Sequence, residues 1–213
     1  DHRESRGLGD VYKRQFMDAG HALLRLGFGP RLVYVLGGSF GDQEGEELST
    51  VDVYDPRTDA WKQVASMPTM RCSHAGVALN GKVYVLGGFG GNSDILSSMD
   101  MYDPQSDSWQ PLADMASART GFAAAVAGSK IYAIGGGDEG LRRVEAFDPL
   151  LGTWAEVASM SVGRRCHSVV VVDGKIYAIS GRASINGQAL NSVEAYAPQT
   201  DSWQQVASLP EGR

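Results

Sequence analysis

Three histidines stand where chemistry could be done. His21, His74 and His167 hold one position of an internal repeat, and three imidazoles facing a common channel make a ligand set for a divalent metal. Phe122 holds that position in the remaining copy, which favours packing, so no metal is assigned. A second candidate is Gly135-Gly136-Gly137-Asp138-Glu139-Gly140, which has the glycine spacing of a dinucleotide loop. Such a loop works only where a helix N-terminus stands behind it to hold the pyrophosphate. Here Val144-Glu145-Ala146-Phe147 follows and reads as a strand, so no cofactor is expected. Arginine is the third candidate, because its planar fork matches a carboxylate. Arg71, Arg119, Arg164 and Arg213 recur with the repeat and read as braces that bond loop carbonyls of neighbouring units. Arg142, Arg143, Arg165 and Arg182 break the repeat, so they are the candidates for contacting an acidic segment of a partner.

The elements that position these residues follow from the repeat itself. Trp61, Trp109, Trp154 and Trp203 each lie seven residues after an aromatic, namely Tyr54, Tyr102, Phe147 and Tyr196, and ten before an arginine. The period from Trp to Trp is 48, 45 and 49 residues. A fixed period of this length marks an array of like units, none able to bury its apolar face alone. Within a unit, Ala75-Gly76-Val77-Ala78-Leu79 and Lys82-Val83-Tyr84-Val85-Leu86 flank Asn80-Gly81, the strongest short hairpin signal because both turn residues tolerate positive φ. Asp173-Gly174 and Gly128-Ser129 occupy the same place in later units. Asp103-Pro104 imposes a second turn before Ser108-Trp109-Gln110-Pro111-Leu112, since proline fixes φ and cannot donate to a ladder. Each unit therefore reads as a four-stranded antiparallel meander, and no segment carries a helical period. Strands are expected near 33–37, 50–54 and 60–64, and at matching places in each later unit.

The apolar runs end in paired glycines: Gly37-Gly38, Gly87-Gly88 and Gly135-Gly136, with Ser180-Gly181 in the fourth copy. With the Tyr-Asp-Pro turn and the Trp seven residues beyond the aromatic, these pairs closely resemble the kelch repeat, over about 180 residues from Leu32 to Arg213. The resemblance implies an all-β fold, a β-propeller with one repeat per blade around a channel. Ser180 and Ala197 depart from the pattern, and a slightly altered loop is expected at each, with the blade retained. The repeated glycines, aromatics, tryptophans and arginines are then packing and backbone geometry, and specificity belongs to positions where the copies disagree.

The resemblance also implies function. Such propellers serve as substrate-recognition arms of ubiquitin-ligase adaptors or as actin-binding and scaffold domains, so the expectation is a non-enzymatic protein-interaction module. The alternative is a propeller enzyme of the sugar-acid isomerase or copper-radical oxidase type. The oxidase needs a Tyr–Cys crosslink and paired His ligands, and neither Cys72 nor Cys166 lies beside a distinctive tyrosine. In a meander, the loops between second and third strands and the connections between blades emerge on one face. That loop face is the expected site for a protein or acidic peptide.

Residues 1–15 lie outside the pattern and resemble a non-native read-through or a disordered tail. Residues 16–213 are expected to form four blades, at about 16–66, 67–114, 115–159 and 160–208, with a fifth beginning at 209–213. This is expected to be a partial ring of a propeller of about six blades, whose missing blades are partners of its two ends. Alone, it should self-associate or be poorly soluble. The net charge of −6 argues against non-specific nucleic-acid binding, and no apolar run approaches a membrane span. Two cysteines without metal spacing read as reduced thiols of a cytoplasmic chain.

Overall fold

The computed structural model describes residues 24–25, 32–39, 47–91, 94–137 and 141–213. They form four antiparallel sheets, each a meander in chain order. Blade one holds β1 (Leu24–Arg25), β2 (Val33–Ser39), β3 (Glu47–Asp55) and β4 (Ala60–Val64). Blade two holds β5 (Ala75–Leu79), β6 (Lys82–Leu86), β7 (Met99–Asp103) and β8 (Ser108–Pro111). Blade three holds β9 (Ala123–Ala127), β10 (Lys130–Ile134), β11 (Val144–Asp148) and β12 (Thr153–Val157). Blade four holds β13 (Ser168–Val172), β14 (Lys175–Ile179), β15 (Val193–Ala197) and β16 (Ser202–Val206). The innermost strands β1, β5, β9 and β13 pack side by side in that order. No α-helix occurs among the described residues.

The hairpins follow their turn chemistry. Asn80 and Gly81 both take positive φ, at 51° and 76°, and Asp173 and Gly174 do the same at 49° and 73°. This left-handed pair matches the twist of the flanking strands. At the outer turn of each blade sits one more left-handed residue: Asp59, Asp107, Gly152 or Asp201. Where it is aspartate, its carboxylate accepts the hydroxyl of the repeat tyrosine, from Tyr54, Tyr102 and Tyr196 at 2.7, 2.7 and 2.8 Å. Blade three has Phe147 and Gly152 instead, so donor and acceptor are lost together and neither is left unpaired.

The core lies between blades. Each blade turns a forward face to the next and a rear face to the previous one. Ala75, Val77, Leu79, Tyr84 and Leu86 of blade two pack on Phe122, Ile131, Ala133 and Phe147 of blade three. The junctions on either side repeat the arrangement. Tyr34 meets Tyr102 edge-on at 6.1 Å, and Tyr132 meets Tyr196 at 5.7 Å. Burial of a residue such as Leu86 or Ile131 contributes about 1.5–3 kcal/mol.

A polar clasp accompanies each apolar junction. The indole nitrogens of Trp109, Trp154 and Trp203 donate to the carbonyls of Ala65, Ala113 and Ala158 in the preceding blade, at 2.8–2.9 Å. Asp107 and Asp201 accept the amides of Ala65 and Ala158. The loops between second and third strands close alike: Leu96, Leu141 and Leu190 donate amides to Gly88, Gly136 and Gly181 at 2.7–2.9 Å.

Candidate partner-binding face

The paired glycines and the repeated arginines form one device. The amide of the second glycine donates to the next arginine's carbonyl in all four units: Gly38 to Arg71, Gly88 to Arg119, Gly136 to Arg164 and Gly181 to Arg213, at 2.8–3.1 Å. A Cβ on Gly88 would lie 2.5 Å from the Cys72 carbonyl oxygen, and φ there is +91°, so only glycine fits. Ser180 adopts the glycine conformation at φ 62°, and its hydroxyl bonds the Leu190 and Arg213 carbonyls. Ala197 keeps its pairing with Ser202. Both departures leave the fourth blade whole.

Each of Arg71, Arg119 and Arg164 is fully buried. Nη1 of Arg119 donates to the carbonyls of Gly135 and Arg143 at 2.8 and 3.0 Å, and Nη2 reaches Glu145 at 2.6 Å. Arg71 makes the equivalent bonds to Gly87, Ser98 and Asp100, and Arg164 to Ser180, Ser192 and Glu194. The carbonyls belong to the arginine's own blade, whereas its main chain ties it to the previous one. The expected brace thus extends to a buried ion pair that the sequence reading did not include. Burial holds the Arg71 and Arg119 guanidinium pKa values below the usual range. Burial raises the Glu194 carboxyl, but bonds from Ser161, Arg164 and the Val162 amide outweigh it and bring it below the ordinary value. The missed signal was an acidic residue two before each repeat aromatic: Asp52, Asp100, Glu145 and Glu194. Met67, Met115 and Met160, also overlooked, recur four residues before the arginines and are buried.

The four arginines that break the repeat are placed differently. Arg142, Arg143 and Arg182 are exposed at the loop face. Arg142 Nε donates to the Met160 carbonyl at 2.8 Å. Arg143 donates to Ser117 Oγ at 2.7 Å and lies 3.4 Å from Glu156. Arg182 exchanges backbone bonds with Arg165 at 2.9 Å, which brings the loop of blade four against the connection from blade three. Arg165 itself is only 1% exposed. It occupies the register of Cys72 and Thr120, and its side chain lies beside the Cys166 thiol. It is buried and does not belong to the exposed set.

The histidine position is a packing site. His167 is 8% exposed, and its ring nitrogens have no hydrogen-bond partner among the described residues. Its Cε1 would lie 3.0 Å from a Cβ on Gly135 in the preceding blade. Carbonyls of the next blade do not satisfy it, and burial beside Arg164 lowers its pKa to about 3. His21 lies outside the described residues, as do Asp42, Glu44 and Glu46 of the first loop. Among the described residues no three His, Cys, Asp or Glu side chains gather as a metal group. Burial raises the Cys166 thiol despite Arg165 and Arg182 nearby, so it is not poised as a thiolate. No helix among the described residues is long and apolar enough to cross a membrane. A cavity of about 350 Å³ between blades one and two, walled by Tyr34, Val53, Trp61, Val64 and Tyr102, opens near the outer turns, away from the loop face.

Comparison with known proteins agrees with this architecture. The chain is similar to Kelch-like protein 3 of Danio rerio, 40% identical over 63 residues, which is 30% of this chain and 10% of that protein. It is similar to an F-box/kelch-repeat protein of Arabidopsis thaliana, 44% identical over 68 residues, or 30% of this chain and 18% of that one. The matched segments thus span under a fifth of these relatives. The solved structure of YjhT superposes with a TM-score of 0.74 at 19% identity, covering 91% of this chain and 68% of that one. The family model described as the KLHDC2/KLHL20/DRC7 Kelch-repeats domain matches residues 20–212, so the chain belongs to the kelch-repeat family and folds as a kelch-type β-propeller.

Proposed function

We propose that this propeller is a non-enzymatic recognition module that binds an acidic segment of a partner protein at its loop face. One observation carries the reading. Arg71, Arg119 and Arg164, which follow the repeat, are buried and spent on internal carboxylates, whereas Arg142, Arg143 and Arg182 break the repeat and stand exposed on one face. A structural need shared by the blades cannot account for them. Exposed guanidinium forks suit bidentate pairing with carboxylates. The strongly shifted groups, such as His167, are buried among blades and do not converge on an open cleft. Substrate recognition for a ubiquitin ligase, or scaffolding, is the role this module would serve in a longer protein.

The test is binding of a fluorescent acidic peptide library to the wild type and to the Arg142→Glu/Arg143→Glu/Arg182→Glu variant. The selected peptides should lose at least tenfold in affinity with the melting temperature nearly unchanged. Peptides that bind both proteins equally would refute the assignment of this face.

A further inference from the structure

Blade two departs from the repeat at the loop face as sharply as the arginines do, but with apolar residues. Three places can be compared across the units. Phe89 bridges Cys72 as Arg182 bridges Arg165, so Phe89 and Arg182 are equivalent. The remaining units hold Ser39 and Gly137 there. Ile95 pairs with Phe89 as Ala189 pairs with Arg182, and the same place holds Glu47 and Gly140 in the other units. Met70, the residue before the repeat arginine, has Ala118, Gly163 and Gly212 as counterparts. Blade two alone fills all three places with large apolar side chains.

These side chains are not spent on the core. Met70 is 42% and Ile95 39% exposed, and Phe89 is half-buried. They are also neighbours. Phe89 and Ile95 pair across a bridge, and the Met70 Cε lies 3.2 Å from where a Cβ on Gly91 of the same loop would stand. Blade two has a blade on each side, so a neighbouring blade is not what covers them. The patch runs into the arginines. The Leu96 carbonyl, next to Ile95, accepts the Arg119 amide at 3.1 Å, and the Ser97 carbonyl accepts the Met115 amide at 3.0 Å. Between those two amides lies Ser117, whose Oγ takes Arg143 Nη1 at 2.7 Å. Arg142 carries the surface on to the Met160 carbonyl at the entrance to blade four. An apolar floor on blade two thus meets a cationic row on blades three and four.

Resting on the loop-face reading above, we propose that the acidic partner segment also carries a large apolar side chain, aliphatic or aromatic, that seats on Met70, Phe89 and Ile95 while its carboxylates pair with Arg143 and Arg142. Exposed ion pairs alone contribute little. An apolar side chain removes from water a surface that arginine pairing leaves wet. The anchor therefore supplies affinity, and the arginines supply register and selection.

The experiment uses the whole chain and two sets of short fluorescent peptides with identical aspartates and glutamates. One set places leucine or phenylalanine at each remaining position in turn, and the other places serine there. Fluorescence anisotropy should show the best apolar peptides binding about tenfold more tightly than their serine twins. Met70→Ser/Ile95→Ser should bind both sets alike, with its melting temperature nearly unchanged because both side chains are exposed. Met70→Leu/Ile95→Leu keeps the floor apolar and should keep the preference. Arg142→Glu/Arg143→Glu/Arg182→Glu should lose both sets. Absence of any arginine-dependent binding refutes the loop-face reading and this proposal with it. Arginine-dependent binding with no apolar preference overturns this proposal and leaves that reading standing. A preference that survives Met70→Ser/Ile95→Ser puts the anchor elsewhere and overturns it too.

Discussion

Replacing Arg119 by methionine isolates the worth of the buried brace. The side chain is fully buried, and it closes bonds to the Gly135 and Arg143 carbonyls and to Glu145. Methionine fills much of its volume and donates nothing. Glu145, 1% exposed, then keeps only the bond from the Ala116 amide to its other oxygen. Breaking a buried pair in this way costs about 3–5 kcal/mol, because one charge stays behind unpaired. For a chain of this size each kcal/mol is worth about 2–4 °C, so the melting temperature should fall by roughly 6–20 °C. The double variant Arg119→Met/Glu145→Met removes both charges and should be more stable than Arg119→Met alone, by about 1–3 kcal/mol. The assay is urea denaturation followed by circular dichroism and tryptophan fluorescence. A single variant costing less than about 1 kcal/mol, or strictly additive effects in the double variant, would refute the reasoning.

Acid sensitivity follows from His167. Its pKa is lowered from 6.5 to about 3 in the fold, so below pH 6.5 the unfolded chain takes up the proton first. Stability should decline by up to about 1.4 kcal/mol per pH unit from that point toward pH 3. His167→Phe, the choice made by Phe122 in blade three, should flatten this decline in pH-dependent denaturation. Glycine substitutions should separate by place. Gly88→Ala drives a Cβ into backbone and should leave little folded protein, whereas at Gly81 no atom lies within 4 Å and only left-handed strain of about 1–2 kcal/mol applies, read as the difference in urea midpoint. Single reversals at exposed Arg142 or Arg182 should change stability by about 0.5 kcal/mol or less.

The repeat was legible because its strongest letters answer local geometry. Asn80-Gly81 could hardly be anything but a hairpin turn, and the tryptophans mark a fixed place on the outermost strand. The acidic partners were harder to see. They alternate between Asp100 and the longer Glu145 and Glu194 and lie within strands, where an acidic residue ordinarily reads as solvated. Their role emerges only when the arginine, 26–30 positions earlier in sequence, is folded against them. Arg165 was misread for a related reason. Its position holds Cys, Thr or Arg across the units, so residue type carries no sign of burial, and only the fold shows it 1% exposed. Departure from a repeat identified Arg142, Arg143 and Arg182 as singular, but whether a singular residue faces water depends on its register.

The amide-to-carbonyl bond at the base of each loop between second and third strands has an engineering consequence. The same clasp spans seven residues at 89–95, four at 137–140 and eight at 182–189. Going from four residues to eight costs only about 0.6 kcal/mol of closure entropy. The segments behave as interchangeable cassettes on a standard socket. Transplanting 182–189 between Gly136 and Leu141 should move its contact chemistry to blade three without redesign of the strands.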